Sequence, residues 1–284
     1  MYLRATALIF CLFGISYGEE ITVPASKDNT LYESSDGSLS NGVGFYLFAG
    51  ATAANGNRRA LLYFDLSDVP AGSTVHSAVL QLHMDKSNAG STLVSAHRLR
   101  SNWGEGNSAG TRGEGLGAGA ASSDATWLHT FYPDEFWLTS GGDYETQPSA
   151  AQTVDGRGDY QWEGDALSAD VQYWIDHATE NFGWVLIGDE SQTPTSKRFV
   201  SHDYADPQLH PRLQIDFTPP SVSRLTGDFN GDARVDLADF FLFADHFGLS
   251  DSAPSWNPTY DLDASGRIDF EDFFVFADHF GARE

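Results

Sequence analysis

Sulfur is almost missing from this chain, with one cysteine and two methionines in 284 residues. The cysteine, Cys11, lies in the N-terminal apolar stretch after Phe10, where a lipidated cysteine would need a small residue before it. Past that stretch the chain can form neither disulfides nor thiolate metal sites, so its stability must come from a packed core and from bound metal. Basic residues are also scarce. Sixteen Lys and Arg face 40 Asp and Glu, a formal net charge of −24, which argues against nucleic acid or an anionic membrane as partner. Long apolar runs are lacking too: Ala5 to Ile15 spans roughly 11 residues, short of the ~20 needed to cross a bilayer, so no transmembrane segment is expected. With Arg4 before it and Ser16-Tyr17-Gly18 after it, the run reads as a signal peptide over residues 1–18. The expected chain starts at Glu19 and is secreted, either free or associated with the cell surface.

What is present divides at Thr218-Pro219-Pro220. This proline linker, residues 219–224, separates residues 19–218 from residues 225–284. The first part alternates short β-branched and aromatic runs with Gly-, Asn- and Ser-rich turns, the pattern of an all-β domain. Its clearest strand is Val75 to Met84, with Ala78, Leu80, Leu82 and Met84 on one face. Similar runs occur at 46–49, 60–64, 93–99, 184–187 and 213–217, as expected for a two-sheet, jelly-roll-like β-sandwich. Ala166 to His177 places Leu167, Val171, Trp174 and Ile175 at helical spacing, a helix expected to cap one end. The stretch from Gly104 to Ser123 is dominated by Gly, Ala and Ser and is expected to be a long mobile loop. No Gly-Lys-Ser or Gly-Lys-Thr follows it, so phosphate binding is not expected.

The second part carries the sharpest chemical signal. Asp228, Asn230, Asp232, Arg234, Asp236 and Asp239 occupy positions 1, 3, 5, 7, 9 and 12 of a 12-residue loop. Asp261, Asp263, Ser265, Arg267, Asp269 and Asp272 repeat the pattern 33 residues later. Calcium takes six to eight oxygens, and alternate acids wrap them around it while position 7 offers its carbonyl. Two Ca2+ sites are therefore expected, in EF-hand-like loops. The repeat continues as Asp239-Phe-Phe-Leu-Phe-Ala-Asp-His-Phe-Gly248 and Asp272-Phe-Phe-Val-Phe-Ala-Asp-His-Phe-Gly281, so each loop should feed one helix that ends at its glycine. Val235 and Ile268 at position 8 are expected to pair as the bridge between loops. His246 and His279 recur through duplication.

Residues 225–281 thus resemble the dockerin family, whose two loop-helix repeats bind calcium and dock onto a cohesin. Asp239 and Asp272, in place of the usual glutamate at position 12, fit that family. The resemblance implies a small α-helical paired module and a cohesin-like protein partner. Ala233 stands at position 6, where glycine is usual, and a left-handed alanine costs about 1–2 kcal/mol, which would make the first site the weaker. Leu237-Ala238 and Phe270-Glu271 replace the small hydroxyl residues that many dockerins use to select a partner.

Asp28-Asn-Thr-Leu-Tyr32, Arg58 to Leu66, Pro70 to Val75, Ser77 to Leu80, Lys197-Arg-Phe199 and Pro211-Arg-Leu213 resemble the secreted DNRLRE-type domains, relatives of disaggregatase repeats and of an alginate-binding module. That resemblance implies a carbohydrate-binding-module-like sandwich that takes polysaccharide or surface glycan. Trp103, Trp127, Tyr132, Phe136, Trp137 and Tyr144 are compatible with sugar stacking, but the tryptophans are expected mostly to fill the sandwich core or cover its ends. Catalysis has less to stand on. Asp143-Tyr144-Glu145 and Asp189-Glu190 are candidate carboxylate pairs that sequence cannot place across a cleft. Ser201-His202-Asp203 are too close in sequence for a relay, and His129, His202 and His210 lack metal spacing. The expectation is a non-catalytic calcium-binding protein with a glycan-binding sandwich and an anchoring module. The alternatives are a polysaccharide-degrading enzyme with its site in loops 103–144, or a structural or adhesive surface protein.

Overall fold

The computed structural model describes residues 18–54, 56–87, 89–111, 113–220 and 225–283. The expected signal segment, save Gly18, and residues 221–224 of the expected linker lie outside the described residues. The chain forms two compact units, Met1–Pro220 and Ser221–Glu284.

The first unit is mainly β. Its strands begin with β1 (Glu19–Pro24), β2 (Lys27–Tyr32), β3 (Leu39–Ser40), β4 (Tyr46–Ala51) and β5 (Asn57–Tyr63). They continue with β6 (Thr74–Ser87), β7 (Thr92–Arg98), β8 (Ala118–Gly119), β9 (His129–Phe131) and β10 (Glu135–Phe136). The last are β11 (Ala150–Val154), β12 (Gly158–Glu163), β13 (Trp184–Gly188), β14 (Lys197–Val200) and β15 (Arg212–Thr218). Among the described residues, eleven of these join one curled antiparallel sheet along β1-β15-β6-β14-β4-β5-β13-β7-β11, with β12 on β6 and β2 on β5.

The sheet is continuous, whereas the sequence suggested two separate sheets. Strand β4 makes the connection, pairing with β14 from Tyr46 to Ala49 and with β5 at Gly50 and Ala51. Gly50 turns there with φ +108° and lies so close to Gly188 that a Cβ on Gly188 would sit 2.8 Å from Gly50 backbone. Only glycine accepts both the left-handed φ and that approach.

The faces of the curl enclose one core. Ala78, Leu80, Leu82 and Met84 of β6 are all buried there, in the period-2 alternation read from sequence, beside Leu62, Trp162, Trp184, Phe199, Leu213 and Ile215. Helix α1 (Asp165–Asp176) adds Leu167, Val171, Trp174 and Ile175 to this core, Trp174 meeting Trp184 edge-on at 4.5 Å. It does more than cap an end. Where β12 stops along β6, Gln172 Oε1 accepts Val75 N–H at 2.8 Å and Ser168 Oγ accepts Ala78 N–H at 3.0 Å, so the helix satisfies an otherwise open strand edge.

The glycine-rich stretch is bound down, contrary to its composition. Glu114 accepts from Asn41 Nδ2 at 3.0 Å and Tyr46 N–H at 2.9 Å, Ser108 Oγ accepts Gly42 N–H at 3.1 Å, and β8 pairs with β3. Composition hid these bonds because each partner lies more than 60 residues away along the chain.

The loop aromatics fill a second core. Trp103, Trp127 and Trp137 are buried with Leu31, Leu61, Leu99 and Val185. Trp103 Nε1 donates to the Phe182 carbonyl and Trp137 Nε1 to that of Thr126, both at 2.9 Å. Tyr132 and Tyr144 are half-buried, and of the six candidate stacking residues only Phe136 is exposed.

In the second unit two short helices, α2 (Leu237–Ala244) and α3 (Phe270–His279), follow the acidic loops. Phe229, Val235, Phe243, Tyr260, Ile268 and Phe276 form its core, with Phe243 and Phe276 stacked at 5.9 Å. Val235 and Ile268 share that core but do not hydrogen-bond each other's backbones. Val235 pairs with Gly281 and Ala282 after α3, and Ile268 with Gly248 and Leu249 after α2. Each loop is thus stitched to the segment that follows the other repeat's helix, where the left-handed Gly248 and Gly281 turn the chain back.

Candidate metal centres

Each acidic loop is shaped by its aspartates before any ion is considered. At position 12, Asp239 Oδ1 accepts the N–H groups of Phe229 and Asn230 at 2.8 and 3.1 Å, while its Oδ2 accepts that of Asp236 at 2.9 Å. Asp272 repeats this with Leu262, Asp263 and Asp269 at 2.7, 3.2 and 2.7 Å. At position 1, Asp228 gathers the N–H groups of Gly231 and Ala233, and Asp261 those of Ser265 and Gly266. One carboxylate therefore holds the two ends of its loop together.

The position-9 residues serve a different purpose. Asp236 accepts Ala238 N–H at 2.8 Å and Asp269 accepts Glu271 N–H at 3.1 Å, each forming with the position-12 aspartate a capping box for its helix. Hydrogen bonds from Glu271 hold the Asp269 carboxyl below its usual range.

Three carboxylates converge in each loop. Asp228, Asp232 and Asp239 offer oxygens within 4.8 Å of one another, as do Asp261, Asp263 and Asp272. Asp239 and Asp272 are fully buried. Asn230 fills position 3 of the first loop, donating to Asp232 at 3.3 Å, and Ser265 fills position 5 of the second, donating to the Arg267 carbonyl at 3.2 Å. Asp236 and Asp269 fall outside the convergent groups, and Arg234 and Arg267 can contribute only backbone carbonyls. Among the described residues the sole ion pair in this unit is Arg267 with Asp269 at 3.8 Å, so no basic side chain offsets either group. An all-oxygen donor set with uncompensated negative charge fits a hard divalent cation such as calcium.

Backbone geometry changes the expectation of a weaker first site. Ala233 at position 6 is left-handed with φ +64°, but Ala264 at position 4 of the second loop is too, with φ +58°. Gly231 and Gly266 hold the complementary corners at +77° and +83°. Each loop carries one alanine in the costly region, so this cost does not separate them.

The other candidates are committed elsewhere. Asp143 accepts the N–H groups of Leu138 and Thr139, and Glu190 pairs with Arg59 at 2.8 Å. Glu145 lies 3.8 Å from both Arg98 and Arg100, and Asp189 caps Ser191. Ser201 Oγ donates to the Gly44 carbonyl at 2.6 Å and takes no part in a relay. His129 bonds Thr126 and His210 the Tyr204 carbonyl, while His246 and His279 make equivalent bonds to carbonyls four residues back. His202, which shows no metal spacing in the sequence, joins Asp28, Glu105 and Asp203 in a third convergent group. No local spacing signals that group, since its members come from three distant segments. The chain matches no protein-family model and no curated protein.

Proposed function

We propose that the chain is a secreted, non-catalytic calcium-binding protein whose C-terminal unit is a dockerin-like, paired EF-hand-like module. In this reading the module binds two Ca2+ and anchors the protein to a cohesin-like partner. The observation that carries it is the twofold occurrence of three convergent carboxylates, one fully buried, without a basic partner. Asp228, Asn230, Asp232 and Asp239 would hold one ion with the Arg234 carbonyl, and Asp261, Asp263, Ser265 and Asp272 the other with the Arg267 carbonyl. Asp236 and Asp269 would act through water while capping their helices.

The anchoring role draws on the surface beside the loops. Leu237 and Phe270, equivalent in the two repeats, are 60% and 64% exposed, and Phe241 and Phe274, also equivalent, are 63% and 62% exposed. Large apolar side chains left in water at duplicated positions suit a protein contact. For residues 19–218 we propose a jelly-roll-like module exposed to polysaccharide or surface glycan, on sequence resemblance alone. With its tryptophans buried, glycan contacts would be chiefly polar.

Titration calorimetry on metal-free protein tests the central claim. Two Ca2+ per chain are expected, falling to one in Asp239→Ala and one in Asp272→Ala. Unchanged stoichiometry in both variants would reject the assignment.

A further inference from the structure

Within the β unit, three segments far apart in sequence bring ionisable side chains to one point. Strand β2 supplies Asp28, the glycine-rich stretch supplies Glu105, and the turn after β14 supplies His202 and Asp203. One ligand atom from each lies within 4.8 Å of the others. The arrangement is built by specific bonds. Asp28 N–H donates to Glu105 Oε1 at 2.7 Å, His202 N–H donates to Asp28 Oδ2 at 2.7 Å, and His202 Nε2 meets Glu105 Oε1 at 2.7 Å. Asp203 Oδ2 stands 3.5 Å from His202 Nε2. The Asn29 side chain donates to the Glu105 carbonyl at 2.8 Å, pinning the loop that carries Glu105.

Two oxygens in this group make no hydrogen bond, Asp203 Oδ2 and Asp28 Oδ1. Asp28 has no exposed surface, yet its Oδ1 has no hydrogen-bond partner. A buried carboxylate oxygen is normally bonded, paired or coordinated to metal. The neighbouring Lys27 does not pair with it, since its Nζ bonds the Trp103 carbonyl at 2.5 Å.

We propose that Asp28, Glu105, His202 and Asp203 form a third divalent-cation site, inside the β unit and distinct from the two acidic loops. Three carboxylates and one imidazole make a mixed oxygen and nitrogen donor set. Carboxylates suit Mg2+, Ca2+ and Mn2+, while imidazole suits Zn2+ and later first-row ions, so the site selects Mn2+ or Zn2+ over Ca2+. An ion there would tie β2, the glycine-rich stretch and the turn after β14 together, the role that disulfides play in other secreted chains.

The test uses the full chain, stripped of metal and then held in excess Ca2+ to occupy the acidic loops. Mn2+ is titrated in and the free ion is read by electron paramagnetic resonance. One Mn2+ per chain should stay bound, with the nitrogen coupling of a single imidazole in the pulsed spectrum. Affinity should fall roughly tenfold or more in Asp28→Asn and Glu105→Gln, and the nitrogen coupling should vanish in His202→Gln. Glu105 is partly exposed, so its variant remains informative if Asp28→Asn does not fold. The proposal is overturned if no Mn2+ binds, if excess Ca2+ displaces it completely, or if affinity and spectrum are unchanged in the folded variants.

Discussion

Alanine at a left-handed corner is a cost that each acidic loop bears once. Ala233→Gly and Ala264→Gly should each remove it, and even against the greater chain entropy of glycine the calcium-loaded unit should gain about 0.5–1 kcal/mol. Denaturant unfolding in saturating calcium would measure this, and equal gains are expected because the two loops have the same backbone geometry. Another single-residue effect concerns His97, which burial holds below the usual histidine range and whose ring nitrogens bond the Glu145 carbonyl and Ser95. Its folded-state value is depressed, so the unfolded chain takes up its proton first. The stability His97 contributes is therefore full above about 6.5 and lost as pH falls toward the folded value. Thermal unfolding of the β unit should weaken between neutral and mildly acidic pH, and His97→Gln should flatten that part of the profile.

At the scale of elements, the curl of the sheet depends on β4 changing partners at Gly50. A Cβ there would stand 3.0 Å from the Thr195 backbone at a left-handed φ. Gly50→Ala should cost about 1–2 kcal/mol or more in urea unfolding. Gly119→Ala in β8, with nothing within 4 Å, should stay within roughly 0.5 kcal/mol. The duplicated apolar positions on α2 and α3 carry a different prediction. If the second unit docks as proposed, Phe241→Ser with Phe274→Ser should abolish calcium-dependent capture of a cohesin-type domain without changing ion stoichiometry, since neither side chain belongs to the loops. Capture that survives the double change would send the contact elsewhere.

At the scale of the whole molecule, the two units draw their stability from different sources. The β unit has a large apolar core, whereas residues 225–283 arrange a small aromatic core around two clusters of mutually repelling carboxylates. Chelation should melt the second unit and leave the first folded, giving separate transitions in calorimetry and a loss of helical signal in circular dichroism. A single transition indifferent to chelator would contradict this. If the β unit also holds its own ion, a chelator strong enough for transition metals should lower its midpoint further than one selective for calcium.

Much of this was legible in the chain itself, because it rests on local periodicity. The alternation in β6 marked its buried face, helical spacing placed α1 to within one residue, and the 33-residue repeat singled out the aspartates that converge in the two loops. Tertiary structure decided what depends on partners distant in sequence. It set one curled sheet in place of two and a bonded glycine-rich stretch in place of a mobile one. It also exchanged backbone pairing between the loop of one repeat and the helix end of the other, and brought Asp28, Glu105 and His202 together. Periodicity reports which face of an element meets the core. Closing a chain over 70 or more residues leaves no periodic trace, so a site assembled that way exists only once the fold does.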